Sequence, residues 1–193
     1  ASLGLNYELT DCTTIGAYYR TEQQFRFDNA IQFGVGPTLD VNMDLPRNFG
    51  MGIANNSLMD GRLLLAMDVL YINWEAAELF GAVYNDQWVM QLGAQYSMDC
   101  YRLRMGYAFA ENPIDPLPFG DLGGVFPPGG PPALRYTQGL LAVTSQHRIS
   151  AGIGVIDVLP GVDLDLATGG MFRDSEQLGP STNTAISSYW IAV

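Results

Sequence analysis

The sequence predicts an all-β protein, an antiparallel transmembrane β-barrel, from three observations. Apolar and polar residues alternate along most of the chain, which is the period of a β-strand with one apolar face. The connections between the alternating segments are short and long in turn, as they are at the two ends of an outer-membrane barrel. Aromatic residues lie near the predicted strand ends, where aromatic girdles form: Trp74, Trp88, Tyr96, Tyr101, Tyr107 and Tyr189.

The alternation predicts about nine strands. They are expected at residues 2–9, 13–33, 38–56, 61–74, 87–98, 100–110, 139–157, 161–173 and 185–193. In the first, "ASLGLNYEL", the odd positions from Leu3 to Leu9 are apolar. The second and third repeat the pattern in "QFRFDNAIQF" and "TLDVNMD", and the fourth, "RLLLAMDVLYINW", places Asp68 on its polar side.

The later strands follow the same rule. In "WVMQLGAQYSM" one face runs from Trp88 to Met98, and Gln91 and Gln95 lie on the other. In "YRLRMGYAF" Arg102 and Arg104 alternate with large apolar residues. The pattern is weaker in "RISAGIGVI" and clear again in "VDLDLATGGMF". An unpaired guanidinium in an apolar core costs several kcal/mol, so the face that carries the arginines is expected to be wet.

The short connections are "TDC", "NNSLMDG", "SMDC" and "DVLPG", and the long ones span residues 74–86, 111–138 and 174–184. Residues 73–83, "NWEAAELFGAV", fit either a helix or a loop. The longest connection is so rich in Pro and Gly at residues 120–132 that neither helix nor strand is expected there. That run fits either a lid over the barrel mouth or a loop without a role.

Composition limits the class of protein. Hydrophobic residues make up 48% of the chain and charged residues 15%, the latter well below the roughly 25% of soluble domains. The net charge of −11, with nine arginines and no lysine, argues against nucleic acid as a partner. No apolar run reaches the roughly 18 residues of a membrane helix, and no signal peptide is present, so a secreted form would be mature or partial.

The two cysteines, Cys12 and Cys100, each follow an aspartate in a predicted turn. A disulfide in an oxidising compartment and two unpaired thiols are both compatible with this placement. Their spacing does not fit a metal site, and we expect neither a metal nor another cofactor.

A soluble β-sandwich is the competing fold, because its strands also alternate. Its apolar faces must pack against each other, whereas here they carry about five aromatic or long aliphatic groups per strand. The asymmetry of the connections and the placement of the aromatic residues favour the barrel.

Several segments, in this order, give the chain a family resemblance. "LPRNFGMGIANN", "LLLAMDVLYINW", "QWVMQLGAQYSMDCYRLRMGYAFAENPIDP" and "HRISAGIGVI" together resemble the carboxy-terminal half of the FadL family of outer-membrane transporters for long-chain fatty acids and other hydrophobic compounds. The resemblance rests on Leu45-Pro46, Asn73-Trp74, Gly93 to Tyr96, Arg104 to Tyr107, and Pro113 to Pro116.

The resemblance implies a barrel of about 14 strands with an N-terminal hatch, from which substrate leaves sideways into the membrane. Residues 1–193 are then expected to be a single partial barrel domain of about nine strands, without the hatch or the early strands. The implied function is passive uptake of hydrophobic compounds such as long-chain fatty acids across the bacterial outer membrane. The expected partners are membrane lipid, lipopolysaccharide and a hydrophobic small molecule; the oligomeric state is not predicted.

Five residues are candidates for contact with substrate in the lumen: Arg102, Arg104, Asp68, Gln91 and Gln95. Guanidinium groups suit a fatty-acid carboxylate. The alternative is that both arginines pair with lumen carboxylates such as Asp68 and brace the wall, and the need to satisfy charges internally favours it.

Enzymatic residues are not predicted. His147 has Ser145 and Ser150 nearby, which admits a hydrolase, but Ser145 is too close in sequence and an orienting acid is not apparent. Asp163 and Asp165 admit a calcium or glycosidase site, but without a calcium-loop pattern a polar lumen face is favoured. The functional alternatives are a general porin, a structural outer-membrane barrel, and a secreted soluble β-sandwich that binds ligands or builds a surface layer.

Overall fold

A computed structural model describes residues 1–32, 36, 38–114, 138–139, 145–178 and 183–193. In these ranges the chain forms eleven strands: β1 (Ser2–Thr10), β2 (Thr13–Arg20), β3 (Gln23–Gln32), β4 (Thr38–Leu45), β5 (Asn48–Leu58), β6 (Leu63–Ile72), β7 (Gln87–Ser97), β8 (Tyr101–Ala110), β9 (His147–Leu159), β10 (Val162–Gln177) and β11 (Asn183–Ala192). A 3₁₀ turn at Phe80–Ala82 lies between β6 and β7. None of the described helical segments has the length and apolar character needed to span a bilayer.

Nine strands form one antiparallel sheet in the order β1-β2-β5-β6-β7-β8-β9-β10-β11, and β3 and β4 form a separate two-stranded sheet. Each strand of the large sheet therefore pairs with its neighbour along the chain, except where the β3–β4 hairpin is inserted between β2 and β5. This up-and-down arrangement is that of a transmembrane barrel wall, and the predicted fold class is confirmed. The sheet is open between β1 and β11.

The division of the chain into strands differs from the prediction in two regions. The strand expected at residues 139–157 begins only at His147, and the other difference lies between β2 and β5. Residues 13–33 and 38–56 were each expected to be one strand, and each contains two, because the chain leaves the large sheet after Arg20 and returns at Asn48. Pro46 lies at the return, where the absence of an N–H group ends a ladder. Apolar and polar residues alternate in the separate β3–β4 hairpin just as they do in the large sheet. The alternation therefore does not show where β2 ends or β5 begins.

The two ends of the sheet differ as predicted. The turns β1–β2, β5–β6, β7–β8 and β9–β10 lie at one end, and the longer connections lie at the other. The β9–β10 turn contains Pro160 followed by Gly161 with a φ of 77°, the left-handed conformation that a type II turn requires at this position. We call these the short-turn end and the long-loop end. The Pro- and Gly-rich run 120–132 lies outside the described residues.

The apolar face of the sheet is exposed. Ile53, Met67 and Leu92 are aligned on β5, β6 and β7, and their exposed fractions are 47%, 40% and 41%. A sandwich would bury such residues against a second sheet, which the described strands do not do. Exposure of this kind is expected for the lipid-facing side of a barrel wall.

An aromatic cluster on the apolar face marks the long-loop end. Phe49, Tyr71 and Trp88 are cross-strand neighbours on β5, β6 and β7. Their ring centroids are 5.3 Å apart for Phe49 and Tyr71 and 4.9 Å apart for Tyr71 and Trp88. The cluster occupies the position of an aromatic girdle at a membrane interface.

The buried hydrophobic core is small and lies among the long loops. Val83, Tyr84, Ile114 and Leu178 are buried together, with Trp74 packed against them. Residues 73–83, for which the sequence left a helix and a loop open, form turns and the 3₁₀ turn of this cluster. Burial raises the pKa of Tyr84 to about 12. The core thus fixes the loops to one another at the long-loop end.

Cys12 and Cys100 are exposed and unpaired. They lie in the β1–β2 and β7–β8 turns, at the same end of the sheet but separated by β2, β5, β6 and β7. Of the two alternatives that the sequence left open, the structure shows the free thiols.

Candidate functional site

The polar face of the large sheet is built by the strand residues that alternate with the apolar ones. One row of cross-strand neighbours crosses it: Asn6, Gly16, Gly52, Asp68, Gln91, Ala108, Arg148 and Met171. A parallel row nearer the short-turn end contains Gln95, Arg104 and Gly152. All five predicted candidates therefore lie on one face, opposite the exposed apolar side chains.

Arg102 and Arg104 are held by carboxylates two strands away. Arg102 Nη1 lies 3.3 Å from Asp163 Oδ2, and Arg104 Nη1 donates to Asp165 Oδ1. Between them, β9 presents glycine: Gly154 is the cross-strand neighbour of both Arg102 and Asp165. Because glycine has no side chain, the arginines can reach across β9. The favoured polar-face interpretation of Asp163 and Asp165 fits this arrangement.

Asp68, predicted as a partner of the arginines, does not pair with either of them. The two ion pairs Arg102–Asp163 and Arg104–Asp165, here called the ion-pair ladder, do not include it. Cross-strand pairing aligns Asp68 with Gln91 and then with Ala108 on β8. Ala108 is four residues from Arg104, about 14 Å along an extended strand, and Asp68 is two strands farther across. That separation exceeds the reach of an ion pair.

Gln95 supports the ladder from the other side. Its Oε1 accepts a hydrogen bond of 2.8 Å from Arg104 Nε, and its cross-strand neighbour is Arg104 itself. Arg104 is thus bound by a carboxylate on β10 and an amide on β7. Its side chain is 37% exposed and that of Asp165 is 49% exposed, so water screens the pair and its contribution to stability is modest.

Asp68 and Gln91 lie in a different environment from the ladder. They line a groove of about 580 Å³ on the polar face, together with Asn6 and the glycines Gly16 and Gly52. The glycines make room for these polar side chains: Asp68 Oδ1 lies where a Cβ at position 52 would be, and Asn6 Oδ1 lies over Gly16 in the same way. Asp68 makes no hydrogen bond or ion pair with the described part of the chain.

Arg148 on β9 is a polar-face cation that sequence reasoning missed. Its Nε is buried and has no hydrogen-bond partner among the described residues, and none of the ion pairs found there includes it. It lines a cavity of about 370 Å³ with Gln91, Ser150 and Trp190. The alternation in "HRISAGIGVI", in which Arg148 and Ser150 share a face, was the available signal.

The serine and histidine near the start of β9 do not contact each other. Ser145 donates a 3.1 Å hydrogen bond to the carbonyl oxygen of Phe172, whereas His147 Nδ1 lies 2.8 Å from the hydroxyl oxygen of Tyr107. His147 also packs on Phe109 at a centroid distance of 5.3 Å. These contacts are structural, at the long-loop end of the apolar face.

A polar network at the long-loop end joins β6 to the following loop. Asp86 accepts hydrogen bonds from the hydroxyl of Tyr71, from Asn73 Nδ2 at 2.8 Å and from the backbone N–H of Glu75 at 3.0 Å. Arg47 Nε donates to Asn73 Oδ1 at 2.6 Å. Burial opposes ionisation of Asp86, but the hydrogen bonds and the Arg47 charge outweigh it and lower the pKa of Asp86.

Metal-binding geometry is not found in the described residues: no three His, Cys, Asp or Glu side chains lie close enough to hold an ion. The polar face instead offers hydrogen-bonding and charged groups beside open grooves. Such a surface can line a passage for solutes, with one ladder of ion pairs and separate unpaired groups at Asp68 and Arg148.

The fold and its two faces define a class of protein: a transmembrane β-barrel whose wall has an exposed apolar face and a polar face. No protein-family model matches the chain, and no curated sequence matches it significantly. Among solved structures, the crystal structure of the Ralstonia pickettii toluene transporter TbuX matches it with a TM-score of 0.58 and 14% sequence identity. The match covers 98% of this chain and 45% of that transporter, so the chain spans less than half of its length. The likeness shows a shared fold.

Proposed function

We propose that the chain forms part of a bacterial outer-membrane barrel that takes up hydrophobic compounds by passive diffusion. The observation that carries the proposal is the separation of the sheet into an exposed apolar face and a polar face with ion pairs, in a fold shared with a toluene transporter. Lipid and lipopolysaccharide cover the apolar face in this proposal, and solute moves along the polar face.

The resemblance to the FadL family extends the proposal to long-chain fatty acids as cargo. Within the barrel, Arg102 and Arg104 brace the wall, because both guanidiniums are already paired. Gln95 supports Arg104. Asp68 and Gln91 line the groove: the Gln91 amide can donate to the carboxylate of a passing fatty acid, whereas the Asp68 carboxylate accepts only from donor groups such as hydroxyls.

Uptake by cells tests this function. Cells with and without the full-length gene are given labelled toluene, a labelled long-chain fatty acid and labelled sucrose. Transport of hydrophobic compounds predicts gene-dependent uptake of toluene or the fatty acid but not of sucrose. Equal uptake of all three indicates a general porin, and gene-independent uptake of all three rejects transport.

The membrane location has a separate test. A protein with this exposed apolar face should be monodisperse after refolding only in detergent or lipid. Monodisperse protein in plain buffer would indicate a soluble protein.

A further inference from the structure

We infer that the cavity at Arg148 is a binding site for an aromatic acid, with Arg148 as the residue that selects the anionic group. This inference rests on the proposed transport function and names a substrate class for the same polar face. Its starting point is a contrast between the arginines: Arg102 and Arg104 each have a carboxylate partner, and Arg148 has none in the described chain.

The carboxylates near Arg148 are bound elsewhere or distant. Asp174 on β10, two pairing steps beyond the neighbour Met171, accepts the backbone N–H of Ser175 at 2.9 Å and forms none of the ion pairs found in the described residues. Asp68, in the same row as Arg148, is three strand spacings away, about 14 Å. A guanidinium without a carboxylate partner carries an uncompensated charge, and an anion bound at its terminal N–H groups would compensate that charge.

The groups around Arg148 fit a carboxylate. Ala108 stands between Arg148 and Gln91 in the row, and its small methyl group leaves space between these two longer side chains, whose backbones are two strand spacings, roughly 10 Å, apart. Ser150, two residues along β9, lines the same opening. A guanidinium binds a carboxylate through two parallel hydrogen bonds, and the amide and the hydroxyl supply further donors.

The remaining wall of the cavity fits an aromatic ring. Trp190 on β11 lies against Gly169, and its Cε2 is 2.7 Å from the place that a Cβ at position 169 would occupy. Only glycine there allows the indole to lie on the sheet beside Ser150. The cavity of about 370 Å³ is at the small end of ligand sites. It fits a single-ring acid, stacked on Trp190, better than a long acyl chain.

The probe is labelled benzoate, and uptake is measured in vesicles that contain the full-length protein, with labelled toluene as the neutral analogue. We expect Arg148→Gln to lower benzoate uptake at least tenfold and to leave toluene uptake unchanged. Arg20→Gln is the matched control, since it removes an exposed arginine of the same face on β2, away from the cavity. It should preserve uptake of both compounds.

Arg148→Lys is the second variant, for use if the glutamine variant fails to fold. It keeps the charge but loses the planar fork, so benzoate uptake should fall and toluene uptake should not. Wild-type benzoate uptake in a folded Arg148 variant, an equal loss in Arg20→Gln, or toluene transport without benzoate transport by the unaltered protein would each overturn the site. Failure of the unaltered protein to move either compound would instead overturn the proposed transport function.

Discussion

Arg104 on β8 and Asp165 on β10 form an ion pair across the intervening strand β9. The pair spans two strand spacings because β9 contributes glycine rather than a side chain where the two residues approach. Arg102 and Asp163 repeat the arrangement toward the short-turn end. Three strands are thereby connected by side chains as well as by their backbone ladder.

Replacement of Arg104 by glutamine should weaken the barrel more than it weakens uptake. The variant loses the pair with Asp165 and changes the hydrogen bond with Gln95, at a cost of about 1 kcal/mol for partly exposed groups. Urea unfolding in detergent, followed by gel mobility of unheated samples, measures this. Unchanged unfolding together with lost uptake would show that Arg104 binds substrate instead.

Replacement of Gly154 by alanine should disturb the same ladder from the intervening strand. A Cβ at position 154 would lie closer to Asp165 Oδ1 than real Cβ atoms come to any atom, so the carboxylate must move. The same change at Gly93 is the control, because the nearest atom to its Cβ is Ala66 Cβ at 4.0 Å. We expect Gly154→Ala to lower stability and Gly93→Ala to have little effect.

A variant that combines Gly154→Ala with Arg104→Gln tests whether the alanine acts through Asp165. If Gly154→Ala acts by displacing Asp165, its effect and that of Arg104→Gln must be less than additive, because both remove one interaction. If the two losses in the free energy of unfolding were additive, Gly154→Ala would destabilise the backbone of β9 and not the ion pair.

The sequence was sufficient for the two faces but not for the contacts between strands. Alternation placed Gln91, Gln95, Arg102 and Arg104 on one side, since side-chain direction in a strand depends only on local position. Which carboxylate meets Arg104 depends on the register of β8, β9 and β10, and β8 is separated in sequence from β9 by a long loop. Register is set by pairing and turn geometry, so Asp165 could not be distinguished from Asp68, and Arg148 was not recognised as unpaired.

Asp86 predicts a pH dependence of the long-loop end. Its pKa is lowered in the folded protein, so its hydrogen bonds contribute fully above the unfolded pKa of about 3.9. That contribution is lost as the pH falls through the lower, folded pKa. Unfolding in detergent between pH 7 and pH 2 should therefore show a loss of stability below about pH 4. The loss should be smaller in Asp86→Asn, and an equal loss in both proteins would exclude Asp86 as its cause.

Tryptophan fluorescence can test which face meets lipid. Trp88 lies on the apolar face and Trp190 on the polar face, yet each is 45% exposed, so exposure alone does not distinguish them. In variants in which Trp74 and one of these two tryptophans are replaced by phenylalanine, lipids with brominated chains should quench Trp88 strongly and Trp190 weakly. Stronger quenching of Trp190 would reverse the assignment of the faces.

The free cysteines can test which end of the sheet faces the cell exterior. Cys12 and Cys100 are exposed at the short-turn end, and short turns of outer-membrane barrels face the periplasm. A membrane-impermeant maleimide should therefore label them only after the outer membrane of the cells is permeabilised. As a control, both cysteines are replaced by serine and Glu75, exposed in the β6–β7 loop at the opposite end, is replaced by cysteine. That variant should be labelled in intact cells, because its thiol lies on the outer side. Labelling of Cys12 and Cys100 in intact cells, with Glu75→Cys protected until permeabilisation, would mean that the barrel is inserted in the opposite sense.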